Sequence, residues 1–153
     1  MAGRKPRVLH HTGHSPIDRA QAFDYVTDHR TIPNWFYALR EFEPVTDHTR
    51  GLGARFDARM VIGPTSVAST VEITEWIEGE RIRLTSVDGL STDSTWTFAD
   101  TDADGTELTV QFSYALPGGL AGRALATIIE PVVGQAIRHT DATLRKQLRD
   151  LTA

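Results

Sequence analysis

From about residue 39 to residue 115, apolar and polar side chains alternate with period two, the pattern of strands that keep one face dry and one face wet. Phe56, Ala58, Met60 and Ile62 alternate with Arg55, Asp57, Arg59 and Val61. Val67, Ser69, Val71 and Ile73 then alternate with Ala68, Thr70, Glu72 and Thr74. The same phase returns in Ile82 and Leu84, in Thr92, Ser94, Trp96 and Phe98, and in Leu108, Val110, Phe112 and Tyr114. Between the runs stand Gly51-Leu52-Gly53, Gly63-Pro64, Glu78-Gly79, Asp88-Gly89 and Asp102-Ala103-Asp104-Gly105, the turn chemistry of short hairpins. The spacing predicts an antiparallel meander of six strands. A dry face on such a sheet needs a cover.

The flanks supply further elements. Residues 7–14 predict a first strand, added elsewhere on the sheet. Asp18, with Gln21 three residues on, has the spacing of a helix start, and Ala22, Phe23 and Val26 extend it as a helix over 19–27. Asp28 reads as a second helix cap, opening a brief turn that Pro33 and the aromatics Trp35, Phe36 and Tyr37 close. After Pro117-Gly118-Gly119 a helical stripe runs to about Leu151 through Leu125, Ile129, Val133, Ile137, Leu144 and Leu148. At 1.5 Å per residue it is about 45 Å long, enough to cross the whole sheet. Pro131 falls inside it, where a proline removes a backbone hydrogen bond and kinks the helix, so residues 120–130 are expected to tilt away and open a mouth.

Composition narrows the classes. A chain of 153 residues suits one domain, 1–153, with its core at about 7–150. The net charge of −4 argues against nucleic acid as a partner, which calls for a basic footprint. No uninterrupted apolar run approaches the roughly 18 residues of a membrane span, and the start MAGRKPRV lacks the apolar stretch of a signal peptide, so a cytoplasmic location is expected. Without cysteine, disulfides, thiolate metal sites and thiol nucleophiles drop out together.

Several strings carry a likeness to a known family. They are Phe23-Asp24-Tyr25-Val26-Thr27-Asp28 followed by Pro33-Asn34-Trp35, then Gly51-Leu52-Gly53-Ala54-Arg55-Phe56, and Tyr114-Ala115-Leu116-Pro117-Gly118-Gly119-Leu120-Ala121-Gly122-Arg123. With the order of elements they resemble the START-like, SRPBCC helix-grip superfamily, in its polyketide cyclase/dehydrase-type branch, over about residues 7–150. The resemblance implies an α+β, START-like and Bet v 1-like fold. In it a curved, seven-stranded antiparallel sheet grips a long C-terminal helix, and two short helices follow strand 1. It also implies a cavity between sheet and helix. Fold alone does not choose among the family's aromatase/cyclases, lipid carriers and hormone receptors.

Some polar groups invite a chemical reading. His10, His11 and His14 suggest a metal site, but on a strand His10 and His14 lie about 13 Å apart and His11 points the other way. Asp100, Asp102, Asp104 and Gly105 copy half of a calcium loop, yet Gln111 stands where the bidentate Glu belongs. Gly118-Gly119 and Gly122 lack the Lys of a phosphate loop. No metal or cofactor is expected. The residues expected to line the cavity are Trp35, Phe36, Phe56, Ala58, Met60, Val71, Trp96, Phe112, Tyr114, Ile129, Val133 and Ile137. Ser69, Thr92, Ser94, Thr140 and one of His10 and His11 are the inward polar groups expected to orient a ligand, with Glu130 a candidate for the mouth.

The favoured function is therefore binding of a small hydrophobic molecule: a lipid, a polyketide-like compound, or another aromatic or isoprenoid one. The first alternative is a polyketide cyclase, aromatase or dehydratase with Tyr114 or His10 moving protons. The balance leans away from an enzyme, because the dry face is rich in aliphatic groups and thin in titratable ones. A protein-interaction module is the second alternative, and Trp35, Phe36, Tyr37 and the edge strands leave a homodimer open.

Overall fold

In the computed structural model, which describes residues 7–151, the alternating segments become seven strands of one antiparallel sheet. They are β1 (Arg7–Ser15), β2 (Leu39–Pro44), β3 (Arg55–Ile62), β4 (Thr65–Ile77), β5 (Arg81–Gly89), β6 (Ser91–Asp100) and β7 (Thr106–Ala115). Their order is β1-β7-β6-β5-β4-β3-β2. The meander is as expected, and β1 joins it beside β7, with Arg7 opposite Tyr114 and Ser15 opposite Thr106. Register shifts in β2 after Leu39 and in β4 at Thr70 and Ile73 mark bulges, which bend a strand and curl the sheet. The basic start and the last residues of the chain, 1–6 and 152–153, lie outside the described residues.

The concave face collects the dry positions. Phe56, Val71, Ile73, Ile82, Trp96 and Phe98 are buried there. The convex face carries the charges as cross-strand pairs: Arg55 with Glu72 at 2.6 Å, Arg59 with Glu41 at 3.0 Å, and Arg83 with Asp93. These exposed pairs add little stability each, but they keep that face wet and so fix which face turns inward.

Two short helices close one end. The helix α1 (Arg19–Thr27) starts at Asp18, whose carboxylate accepts from the Gln21 N–H at 2.7 Å. It buries Ala22, Phe23 and Val26, and the Phe23 ring meets Trp76 and Phe98 edge-on at 5.1 and 5.2 Å. The helix α2 (Ile32–Trp35) departs from expectation. Thr31, not Asp28, stands at its N-cap, and Pro33 lies in its first turn instead of closing it. Proline is tolerated there because the first-turn N–H groups have no partner in the helix. Asp28 serves Arg30 instead, accepting from its backbone N–H and its guanidinium at 2.8–3.0 Å.

The cover is α3 (Gly119–Asp150), which runs unbroken through Pro131, so the helix-grip arrangement is present. Its first half does not swing free. Ala126 and Ile129 pack with Tyr114 and Leu116, while Leu144 and Leu148 join the main core. By length and composition α3 also meets the requirement for a bilayer span, with a mean hydropathy of 1.2 over 18 residues, contrary to the reading from uninterrupted runs. Isolated charged residues break the run without lowering the average below that level. Of its apolar side chains, Ile129, Val132, Val133, Ala136 and Ile137 face the space described next, whereas Leu120 is exposed.

Candidate functional site

Strand alternation and the α3 stripe direct many apolar side chains at each other without filling the volume between them. Two chambers result. The first, of about 140 Å³, lies under α3 and is walled by β1, β6 and β7. The second, of about 100 Å³, lies beneath α1 and α2 against β3, β4 and β5. They share Phe36, Met60, Val67, Leu90, Thr92, Trp96 and Phe112, so they adjoin as two lobes of one apolar interior. The Phe36 and Trp96 rings, 6.5 Å apart, stand at its waist. An outer groove between the β5–β6 turn, the end of β7 and Leu125 of α3 shares Val67 and Leu90 with both chambers. Those two residues therefore stand between the interior and the surface.

All twelve apolar residues named from sequence border this space. Tyr114, Ile129, Val133 and Ile137 face the first chamber alone. Trp35, Phe56, Ala58 and Val71 face the second alone, and Phe36, Met60, Trp96 and Phe112 face both. The edge-on contact of Trp35 with Trp96 at 5.5 Å and the stacking of Phe42 on Phe56 at 4.7 Å hold the second chamber's aromatic wall.

The polar residues divide by how far they are already engaged. Ser94 accepts from the Trp96 indole N–H at 3.0 Å, and Thr140 accepts from the Tyr37 backbone N–H at 3.0 Å. Thr92 borders both chambers and Ser69 the second. Glu130 is half-buried and borders neither. The two histidines separate cleanly: His10 is exposed, although it touches the first chamber, whereas His11 shares the inward face of β1 with Leu9 and Gly13.

Three groups escaped the sequence reading. Asp141 borders the first chamber, 3.1 Å from His11 Nε2 and 2.8 Å from Arg145 Nε. It lies four residues after Ile137 and three before Leu144, a place on the apolar stripe that its charge hid. His29 borders the second chamber, its ring 5.6 Å from that of Phe56. Tyr25 clamps the far end of α3 by donating its hydroxyl hydrogen to Gln147, whose amide in turn donates to the Asn34 carbonyl at 3.0 Å. Burial first, and the negative charge of Asp28 second, hold the Tyr25 phenol above its ordinary pKa, so it stays a neutral donor. Among the described residues no group of three His, Cys, Asp or Glu is placed to hold a metal ion.

Comparison with known proteins places this geometry in context. Residues 8–149 match the family described as polyketide cyclase / dehydrase and lipid transport. No curated protein matches by sequence. Among solved structures, TTHA0849 from Thermus thermophilus is similar with a TM-score of 0.80 at 17% identity, over 96% of this chain and 100% of that one. The Zhui aromatase/cyclase from Streptomyces sp. R1128 is similar with a TM-score of 0.77 at 12% identity, over 97% of each chain. A START superfamily protein from Mycobacterium smegmatis is similar with a TM-score of 0.73 at 15% identity, over 94% of this chain and 98% of that one. At these identities the likeness is one of fold.

Proposed function

Because this chain belongs to the polyketide cyclase / dehydrase and lipid transport family, in the START-like, SRPBCC superfamily, we propose that it binds a small hydrophobic molecule in the bilobed space under α3. The single observation that carries this is the pair of adjoining apolar chambers. Protein interiors normally pack to the density of organic crystals. Volume left unfilled by side chains costs about 24 cal/mol per Å³, so chambers of 140 and 100 Å³ cost on the order of several kcal/mol. An apolar guest offsets that cost and removes its own surface from water at about 25 cal/mol per Å². Lipid, polyketide-like and other aromatic or isoprenoid compounds have the required character.

Trp96 borders both chambers and Trp35 the second, so occupancy should alter indole fluorescence. Native mass spectrometry of protein taken from its own host should reveal a co-purifying small molecule, and extracted protein should recover a changed tryptophan emission when that molecule is returned. Protein that never carries a guest and shows no response to aromatic or lipid probes would sink the proposal.

A second reading, a cyclase or dehydratase, draws on one observation: Tyr114 and His11 both border the first chamber. Under it, Tyr114→Phe and His11→Ala abolish turnover of a supplied poly-β-ketone while binding persists. Full turnover in both variants excludes it.

A further inference from the structure

Among the described residues, His11 Nε2 is the one buried side-chain nitrogen or oxygen without a hydrogen-bond partner. The His11 side chain, 31% exposed as a whole, borders the first chamber, whose lining is mostly apolar. Its neighbours are already engaged: Asp141 receives the Arg145 guanidinium at 2.8 Å, and Thr140 receives the Tyr37 N–H at 3.0 Å. Asp141 Oδ2 comes within 3.1 Å of His11 Nε2, an ion-pair distance, but the geometry does not make a hydrogen bond. Such a buried polar atom is costly to leave unmatched and is rare in folded proteins.

We propose that this corner of the first chamber recognises one neutral oxygen, a hydroxyl, phenol or ketone, on an otherwise apolar ligand, with His11 Nε2 as the bonding group. The assignment rests on the reading of the chambers as a binding site and adds the chemical class of the guest. Either neutral tautomer of the imidazole serves a hydroxyl, which both donates and accepts; a ketone takes the Nε2–H form. A wholly apolar guest would leave Nε2 without a partner. A carboxylate fits worse, because it would approach the Asp141 carboxylate, whose guanidinium partner Arg145 is half exposed. Gly13 contributes by omission: a Cβ there would lie 2.2 Å from Asp141 Oδ1, so the bare backbone is what lets the carboxylate settle beside His11.

Three probes of one skeleton test this: naphthalene, 2-naphthol and 2-naphthoate, titrated against the full chain by tryptophan fluorescence and calorimetry. The expected order is 2-naphthol tightest, by about three- to tenfold over naphthalene, with 2-naphthoate weakest. In His11→Leu the 2-naphthol advantage disappears while naphthalene binds as before or better. A 2-naphthol advantage that survives in His11→Leu overturns the assignment, as does 2-naphthoate binding as tightly as 2-naphthol. Should His11→Leu not fold, the wild-type chain still decides the matter: the His11 Nε2 resonance must move with 2-naphthol and stay with naphthalene, and failure to move overturns it. Naphthalene binding with no oxygen preference defeats this assignment alone; binding of none of the three defeats the binding-site reading as well.

Discussion

Gly13 and Asp141 are coupled at the scale of single residues. A methyl group added to Gly13 would lie 2.2 Å from Asp141 Oδ1, far inside any stable contact, and 3.2 Å from its carboxyl carbon. Since the φ of Gly13 is not positive, the backbone itself accepts alanine, and in a strand alanine is favoured over glycine by about 0.5–1 kcal/mol. The two effects oppose each other. Gly13→Ala should therefore cost about 1–3 kcal/mol in the wild-type chain, where the carboxylate must be displaced. In an Asp141→Ala background the same change should be neutral or stabilising. Urea midpoints of the four chains, at unchanged m-value, measure the cycle. A Gly13→Ala cost that persists without Asp141 would show that something other than this contact excludes a side chain from β1.

At the scale of elements, two glycines of α3 should respond with opposite sign. A Cβ on Gly122 would fall 1.6 Å from the Pro117 carbonyl oxygen, a backbone atom that cannot rotate aside. A Cβ on Gly134 would meet only Arg138 Nη1, the end of a flexible side chain, at 3.5 Å. Gly122→Ala is expected to lose about 2–3 kcal/mol and Gly134→Ala to gain about 0.5–1 kcal/mol. For a chain of this size each kcal/mol moves Tm by roughly 2–4 °C, so scanning calorimetry separates them. Equal effects would mean that α3 starts differently from Gly119. These contacts join residues nearby in sequence, yet spacing did not reveal them, because a glycine in a helical pattern looks the same whether it is tolerated or required. Elements fixed by local periodicity were legible: the strands through Phe56, Val71, Trp96 and Phe112, the Asp18 cap and the α3 stripe. The start of α2 was not, because Asp28 has the composition of a cap but spends its carboxylate on Arg30. Nor was the place of β1 beside β7, which pairs Leu9 with Phe112 across most of the chain and has no turn to announce it.

At the scale of the whole molecule, the faces of the lining residues were legible and the partition of the space was not. Parity along a strand decides whether Phe56 or Phe112 points inward; the arrangement of α2 against α3 decides which chamber it meets. His10 and His11 follow Val8 and Leu9, two adjacent apolar residues that leave the phase of β1 undetermined, and pairing with β7 resolves it. The same arrangement makes α3 uneven. Its second half is held by Leu144 and Leu148 in the main core, by Gln147 bonded to both Tyr25 and Asn34, and by Thr140 bonded to the Tyr37 backbone. Its first half rests on a separate small cluster through Ala126 and Ile129, and Pro131 between the halves withholds one backbone donor. Local opening should follow that division, since a segment tied to other elements by side-chain hydrogen bonds opens at higher free energy. Amide exchange is thus expected to be faster across 120–130 than across 140–150 in the unliganded protein. A guest in the first chamber touches Ile129, Val133 and Ile137, so it should slow exchange chiefly across 129–137, on both sides of Pro131. With 2-naphthol at a hundredfold its Kd, the ceiling on that protection is about 2.7 kcal/mol, roughly a hundredfold in rate. Hydrogen exchange read by mass spectrometry on peptides of α3 measures both quantities. Uniform exchange along the helix would contradict the uneven clamping, whereas uneven exchange with no response to bound 2-naphthol would place the guest outside the first chamber.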